Sequence, residues 1–276
     1  LIERLGLQRV IALSARMVLR NIERRPWRSL LSLLALALAT ALLVIGRYSI
    51  DAVDEVISVQ FRQAMRDDIA VFLTEPRGEI ARFDLAAVDG VAQVEPFRFV
   101  PVRLRSGHRS RRVAIQAQPV GAELRRILDR ERKVVPIPAD GIVLSTKLAD
   151  ILHVAAGDEV TVEVLEGRRL VRDVTVAGLA DEYIGLQSYM SLASVSRLLG
   201  EAPTISGAFL RIDPAEPKDL FRRFRDMPAV AVLGIREAVL ASFSDTIARN
   251  MMVMTTVLVG FAAVIAAGMV YNGARI

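Results

Sequence analysis

Two long runs without a single charged residue constrain this chain more than any other feature. The first, residues 30–46 (LLSLLALALATALLVIG), lies between Trp27 and Tyr48. With those flanks it reaches about 20 residues, enough at 1.5 Å per residue for the roughly 30 Å of a bilayer's hydrocarbon. The second, residues 251–271 (MMVMTTVLVGFAAVIAAGMVY), lies between Arg249 and Arg275 and is small on one side through Gly260, Ala263, Ala267 and Gly268. Two such runs predict two transmembrane helices, 27–50 and 250–272. A signal peptide does not fit the first: the basic lead-in is long, and Gly46-Arg47-Tyr48 is no small-residue cleavage site.

Charge sets the orientation. Residues 1–46 carry seven arginines against two glutamates, whereas residues 47–249 carry 28 basic against 29 acidic side chains. The overall +5 therefore belongs to the segment before the first run, a membrane signature and not one for nucleic acid. Arg24, Arg25 and Arg28 abut the first span and place that end in the cytoplasm. Both termini are then cytoplasmic, residues 273–276 begin a second cytoplasmic segment, and residues 51–249 lie outside. Ile11, Ala15, Val18 and Ile22 form one face of an expected helix over 9–24, within a cytoplasmic interfacial segment 1–26. Arg16, Arg20, Arg24, Arg25 and Arg28 are its candidate contacts with lipid headgroups or a cytoplasmic partner.

The middle reads as an α+β domain in two lobes, about 51–135 and 136–234, divided at the turn-rich PIPADG. Ile50, Val53, Ile57, Phe61 and Ala64 continue the first helix as a stalk, and residues 235–249 form a second stalk entering the second span. Packed together, the two would link movement of spans and outer domain. Strands are expected at 69–73, 97–104, 111–118, 159–165, 169–176 and 208–212. Helices are expected at 121–130, 145–152, 191–199 and 217–226, with Ser145 and Ser191 as N-caps and a hairpin turn at Glu166-Gly167.

Chemistry is sparse. The chain has no cysteine and two histidines, His108 and His153, neither with a second ligand at metal spacing. No P-loop and no hydrolase or zincin motif occurs, so no catalytic, cofactor-binding or metal-binding residue is assigned. Asp67-Asp68 and Asp181-Glu182 read as solvated surface. Arg103, Arg105, Arg109, Arg111 and Arg112 form a candidate outer basic patch for lipid, cell-wall polymer or a partner protein.

Three motifs together resemble one family. Arg20-Asn21-x-x-Arg24-Arg25-Pro26-x-Arg28-Ser29-Leu30-Leu31 opens the first span. Asp140-Gly141-Ile142-Val143-Leu144-Ser145, with Leu148, Leu152 and Ala156-Gly157-Asp158-Glu159-Val160, suggests a strand, a helix and a turn into another strand. Val270-Tyr271-Asn272-x-Ala274-Arg275-Ile276 leaves the second span. In this order they resemble the FtsX-like and MacB-like permeases of ABC transporters, with a MacB-like periplasmic core domain. The resemblance implies a non-enzymatic, multi-pass protein of the bacterial inner membrane. Its cytoplasmic ABC ATPase partner would hold ATP and magnesium, and a second permease copy or repeat would complete it. It further implies mechanotransmission for export or extraction of a lipid, lipoprotein or hydrophobic compound, and a periplasmic partner protein. The chain would be a segment lacking the third and fourth helices. Two other readings use the same features: an FtsX-type regulator activating a cell-wall hydrolase, and a two-span receptor with an outer sensor domain. The exit Tyr271-Asn272-Gly273-Ala274-Arg275 is a poor start for a receptor's signalling helix.

Overall fold

The structure, a computed structural model, describes residues 26–129, 131–182, 185–213 and 217–274. The expected interfacial helix over 9–24, with Arg16, Arg20, Arg24 and Arg25, lies outside the described residues. Arg28 falls within the first helix, α1 (Pro26–Ile57), which Pro26 opens at the one turn where a missing N–H costs nothing. A π-helical stretch, Ser58–Ala64, continues it. The chain then runs through β1 (Ile69–Gly78), α2 (Ala81–Ala86), β2 (Val91–Ser106), β3 (Arg109–Gln118), β4 (Ile142–Ser145), α3 (Thr146–Leu152), β5 (Glu159–Val164) and β6 (Val171–Ala180). It closes with β7 (Ser188–Ser191), α4 (Leu192–Leu199), β8 (Thr204–Ile212), α5 (Pro217–Arg225), β9 (Val230–Ile235) and α6 (Arg236–Ala274).

The chain forms two compact units, Leu1–Asp54 with Asp245–Ile276, and Glu55–Ser244. In the helical unit, Ala39, Leu42, Gly46, Ser49 and Val53 are partly covered, a 3-4-3-4 spacing that marks one face of α1. Ile247, Met251, Leu258, Ala262 and Ile265 are the matching face of α6. The faces meet at Gly46, where an added Cβ would lie 3.9 Å from Leu258 Cδ1. Leu33, Val44, Phe261 and Val264 are instead 60–71% exposed. Among the described residues one helix, Arg236–Gly268, is long and apolar enough to cross a membrane, with a mean hydropathy of 2.1 over its most apolar 18 residues.

The second unit is built on β2, whose 16 residues serve two sheets. Its first half pairs antiparallel with β8, giving the four-stranded order β2-β8-β1-β9. From Arg98 onward it pairs with β3 and β5, and the pairing returns on itself through β3-β7-β4-β6-β5-β2 as a closed six-stranded barrel. Closure removes the two edges that an open six-stranded sheet would present. Alternation built these strands: in β5, Val160, Val162 and Val164 are buried while Glu159, Thr161 and Glu163 turn outward. The barrel's core gathers Val102, Leu104, Ile115, Leu144, Val162 and Val176, with Leu148 and Leu152 from α3 and Leu198 from α4. Each such side chain contributes roughly 1.5–3 kcal/mol by leaving water. On the four-stranded sheet, α5 places Leu220 and Phe224, one turn apart, against Ile69, Val71 and Leu210. The opposite face carries Ala70, Phe97 and Phe209 under Leu124. Where β8 crosses β1 only glycine fits: a Cβ on Gly207 would lie 2.0 Å from the Val71 carbonyl oxygen and 2.7 Å from Phe97 Cζ.

Several expectations change. The lobes do not divide at 135/136, because β2 belongs to both sheets and β8 and β9 return to β1 from the far end of the chain. Arg98 fastens the two sheets at the point where β2 changes partners. It is 5% exposed, donates to Ser206 Oγ on β8 (2.8 Å) and the Phe99 carbonyl (3.0 Å), and pairs with Glu166. Residues 121–129 form no helix. Their backbone groups are spent on tertiary partners: Glu123 and Leu124 N–H donate to the buried Glu95 carboxylate (2.8 and 2.9 Å), and Arg126 N–H donates to the Ala64 carbonyl (2.9 Å). Ser191 caps α4 by accepting from Ser194 N–H (3.1 Å). Ser145 precedes α3 without capping it; its hydroxyl accepts from Gln187 N–H instead. Strands β7 and β9 and helix α2, absent from the sequence reading, are four, six and six residues long.

Candidate functional site

The chain enters and leaves the second unit side by side. The first strand after α1 and the last before α6, β1 and β9, are hydrogen-bonded neighbours with Ile69 opposite Ile235. Just outside that register Asp68 and Arg236 meet. Arg236 Nη2 donates to Asp68 Oδ1 at 3.0 Å, and Arg236 N–H donates to the Asp68 carbonyl at 3.1 Å. Asp68 Oδ2 accepts from Ile212 N–H at 3.0 Å, tying the pair to β8. Beyond it the rings of Phe61 and Phe243 pack at a centroid distance of 5.4 Å. The two entry segments, separate in sequence by about 170 residues, are thus clamped by an ion pair, a strand pairing and a ring contact.

Asp67, read from sequence as solvated surface, is buried at 1% exposure. Its carboxylate accepts from Arg125 Nε (2.7 Å) and Nη2 (3.1 Å), and the guanidinium lies 4.4 Å over the Phe209 ring. The adjacent acids diverge as alternating strand positions require, one toward Arg125 and one toward Arg236. Sequence reasoning missed both pairs because nothing local signals a partner 58 or 168 residues away.

Beside the Asp67–Arg125 pair lies a cavity of about 110 Å³, between the π-helical stretch, the end of β3 and the β6–β7 connection. Glu182 lines it and accepts a short hydrogen bond from Tyr189 OH. Burial pushes the Glu182 carboxyl above its ordinary value, against the opposing effect of the Tyr189 bond. Burial first, then the charge of Glu182 and its hydrogen bond, pushes Tyr189 well above its own. Gln118, 2% exposed, donates through Nε2 to the Arg125 carbonyl (3.2 Å), while its Oε1 has no partner among the described residues. Perturbed titratable groups around a polar cavity are what a binding site looks like in physical terms.

The candidate basic patch does not converge. Arg103 faces Arg112 across the β2–β3 hairpin, whereas Arg111 lies opposite Leu104 and Arg109 adjoins the turn at Gly107-His108. Arg103 and Arg105 both pair with Glu163, at 3.1 and 3.4 Å. Arg109, Arg111 and Arg112 have no carboxylate partner among the described residues. His153 closes α3 in the left-handed region at φ 54°, a backbone role.

No protein-family model matches the chain, nor does any curated protein. Among solved structures, it is similar to the extracellular domain of the noncanonic ABC-type transporter YknZ from Gram-positive bacteria, at 15% identity and a TM-score of 0.38, over 57% of this chain and 87% of that one. It is also similar to the periplasmic region of MacB from Actinobacillus actinomycetemcomitans, at 11% identity and a TM-score of 0.42, over 67% of this chain and 95% of that one.

Proposed function

We propose that this chain is a permease segment of an ATP-driven transporter of the FtsX-like or MacB-like kind. Residues 27–50 and 250–272 cross a membrane, and residues 51–249 stand outside it. A separate cytoplasmic ATPase supplies the energy, and the chain itself performs no chemistry. Its role is mechanical: displacement of the spans is passed to the outer domain, which acts on a lipid, lipoprotein or hydrophobic compound. Arg16, Arg20, Arg24, Arg25 and Arg28 serve the cytoplasmic face. The observation that carries this reading is the clamp. Transmission requires that both helices feed one rigid element, and Asp68–Arg236, Phe61–Phe243 and the β1–β9 pairing make such an element. The apolar side chains left exposed on α1 and α6 suit lipid and not water.

The test is to purify the full-length protein from its native membrane in detergent and identify what accompanies it. A P-loop ATPase whose turnover depends on this protein is the expected result. A co-purifying kinase or chemotaxis adaptor, with no ATPase, would overturn the permease reading in favour of a receptor.

A further inference from the structure

We propose that the cavity beside Tyr189 is a binding site for the polar end of a neutral polyhydroxylated molecule, a sugar or polyol. The lining carries the argument. The chain has seven glutamines, and four of them, Gln60, Gln116, Gln118 and Gln187, line this one cavity. A side-chain amide offers a donor and an acceptor on adjacent atoms, the pattern that vicinal hydroxyls present in return. Among the described residues the side chains of Gln60, Gln116 and Gln187 make no hydrogen bond to protein. Among the described residues Gln118 Oε1 is a buried acceptor without a donor, an unfavourable arrangement unless something fills it.

Charge selects a neutral ligand. Arg125 is neutralised by the bidentate Asp67 carboxylate. The partly buried Glu182 carboxyl is pushed above its ordinary value and already accepts from Tyr189 OH. Arg126 is the one lining cation left without an ion partner among the described residues. An ammonium would meet the unpaired Arg126, and an anion has no proton for the Gln118 Oε1 acceptor; a hydroxyl donates to that oxygen and brings no charge. The volume of about 110 Å³ holds about three or four waters at roughly 30 Å³ each, or a hydroxyl-bearing group of similar size.

The experiment uses the detergent-solubilised full-length protein with glycerol, myo-inositol and glucose as neutral probes. Phosphate, acetate and ethanolamine are the charged controls, and binding is read by saturation-transfer NMR and calorimetry. Saturable binding of at least one neutral probe, weakened tenfold or more in Gln187→Ala and in Gln118→Leu, is expected. Gln187→Ala keeps the test meaningful if Gln118→Leu perturbs folding. A cavity that holds ordered water only, with no saturable polyol binding in the millimolar range, overturns the proposal. So does preferential binding of a charged control, or polyol binding that both variants retain. The proposal does not depend on the permease reading, and co-purification of an ATPase bears on that reading alone.

Discussion

Removing the Asp67 carboxylate isolates the contribution of a single buried pair. In Asp67→Ala the Arg125 guanidinium keeps its place over Phe209 but loses two hydrogen bonds of 2.7 and 3.1 Å and its only counter-ion among the described residues. Breaking a fully buried pair from one side costs about 3–5 kcal/mol, because the remaining charge is left uncompensated. Asp67 is 1% exposed but the Arg125 side chain is 25% exposed, so water reaches the stranded cation and the lower figure, about 3 kcal/mol, applies. Arg125→Met strands Asp67 instead, which is better buried, so its cost is the same or larger. The double variant leaves no charge to strand, and its cost falls short of the sum of the singles by about 2 kcal/mol or more. Urea unfolding of the solubilised protein at pH 7, followed by circular dichroism of the strand signal, measures all three. An Asp67→Ala cost below about 0.5 kcal/mol, with additive singles, would refute the reasoning.

Other perturbations follow from the same geometry. Gly207→Ala drives a Cβ to 2.0 Å from the Val71 carbonyl, so β1 and β8 must separate; a loss of roughly 2–4 kcal/mol is expected, with faster hydrogen exchange along β1. Ser191→Ala removes the cap of α4 and costs about 1 kcal/mol in the same urea assay. Glu182 is raised in the folded protein above its ordinary 4.5, so the fold holds more protons than the unfolded chain above that pH, and stability falls as pH rises from there toward neutrality. Glu182→Gln, which still accepts from Tyr189, should flatten that slope and be the more stable form at pH 7; an unchanged slope across pH 4–7 would contradict this. Arg98→Leu unties Ser206 and leaves Glu166 without its partner, and should lower the urea midpoint of barrel and sheet together.

Local pattern carried the two long helices, α3, α4, α5 and most strands, but not α2. The 3-4-4 spacing of Ile50, Val53, Ile57 and Phe61 anticipated that the first helix runs on past the apolar run, and the alternating valines of β5 anticipated a half-buried strand. Strands β4 and β7, buried at every position, show no alternation and are too short for periodicity to find. The helix expected over 121–130 failed for the opposite reason: its composition is helical, yet a buried carboxylate on β2 captures its amides. The site was hidden almost entirely. Gln118, Glu182 and Tyr189 are unremarkable in sequence, and only barrel closure brings β3 and the β6–β7 connection onto one cavity. Where the arginines of the basic patch lie was not legible either, because sequence proximity in a hairpin does not say which face a side chain takes or which carboxylate, here Glu163, pairs with Arg103 and Arg105.

The central claim is that force from the spans reaches the barrel through the entry clamp. The chain has no cysteine, so spin labels at Arg105→Cys on the barrel and Val239→Cys on α6 report on this chain alone. The measurement is the distance distribution between them by pulsed electron paramagnetic resonance, in the reconstituted full-length complex with its ATPase. It is taken without nucleotide and after trapping with ATP and vanadate. The account predicts that the distribution shifts on trapping, and that Arg236→Ala, which removes the ion pair of the clamp and leaves the strand pairing and the ring contact, diminishes the shift while ATP is still hydrolysed. A distribution that is the same in both states, or a shift that survives Arg236→Ala undiminished, would contradict it.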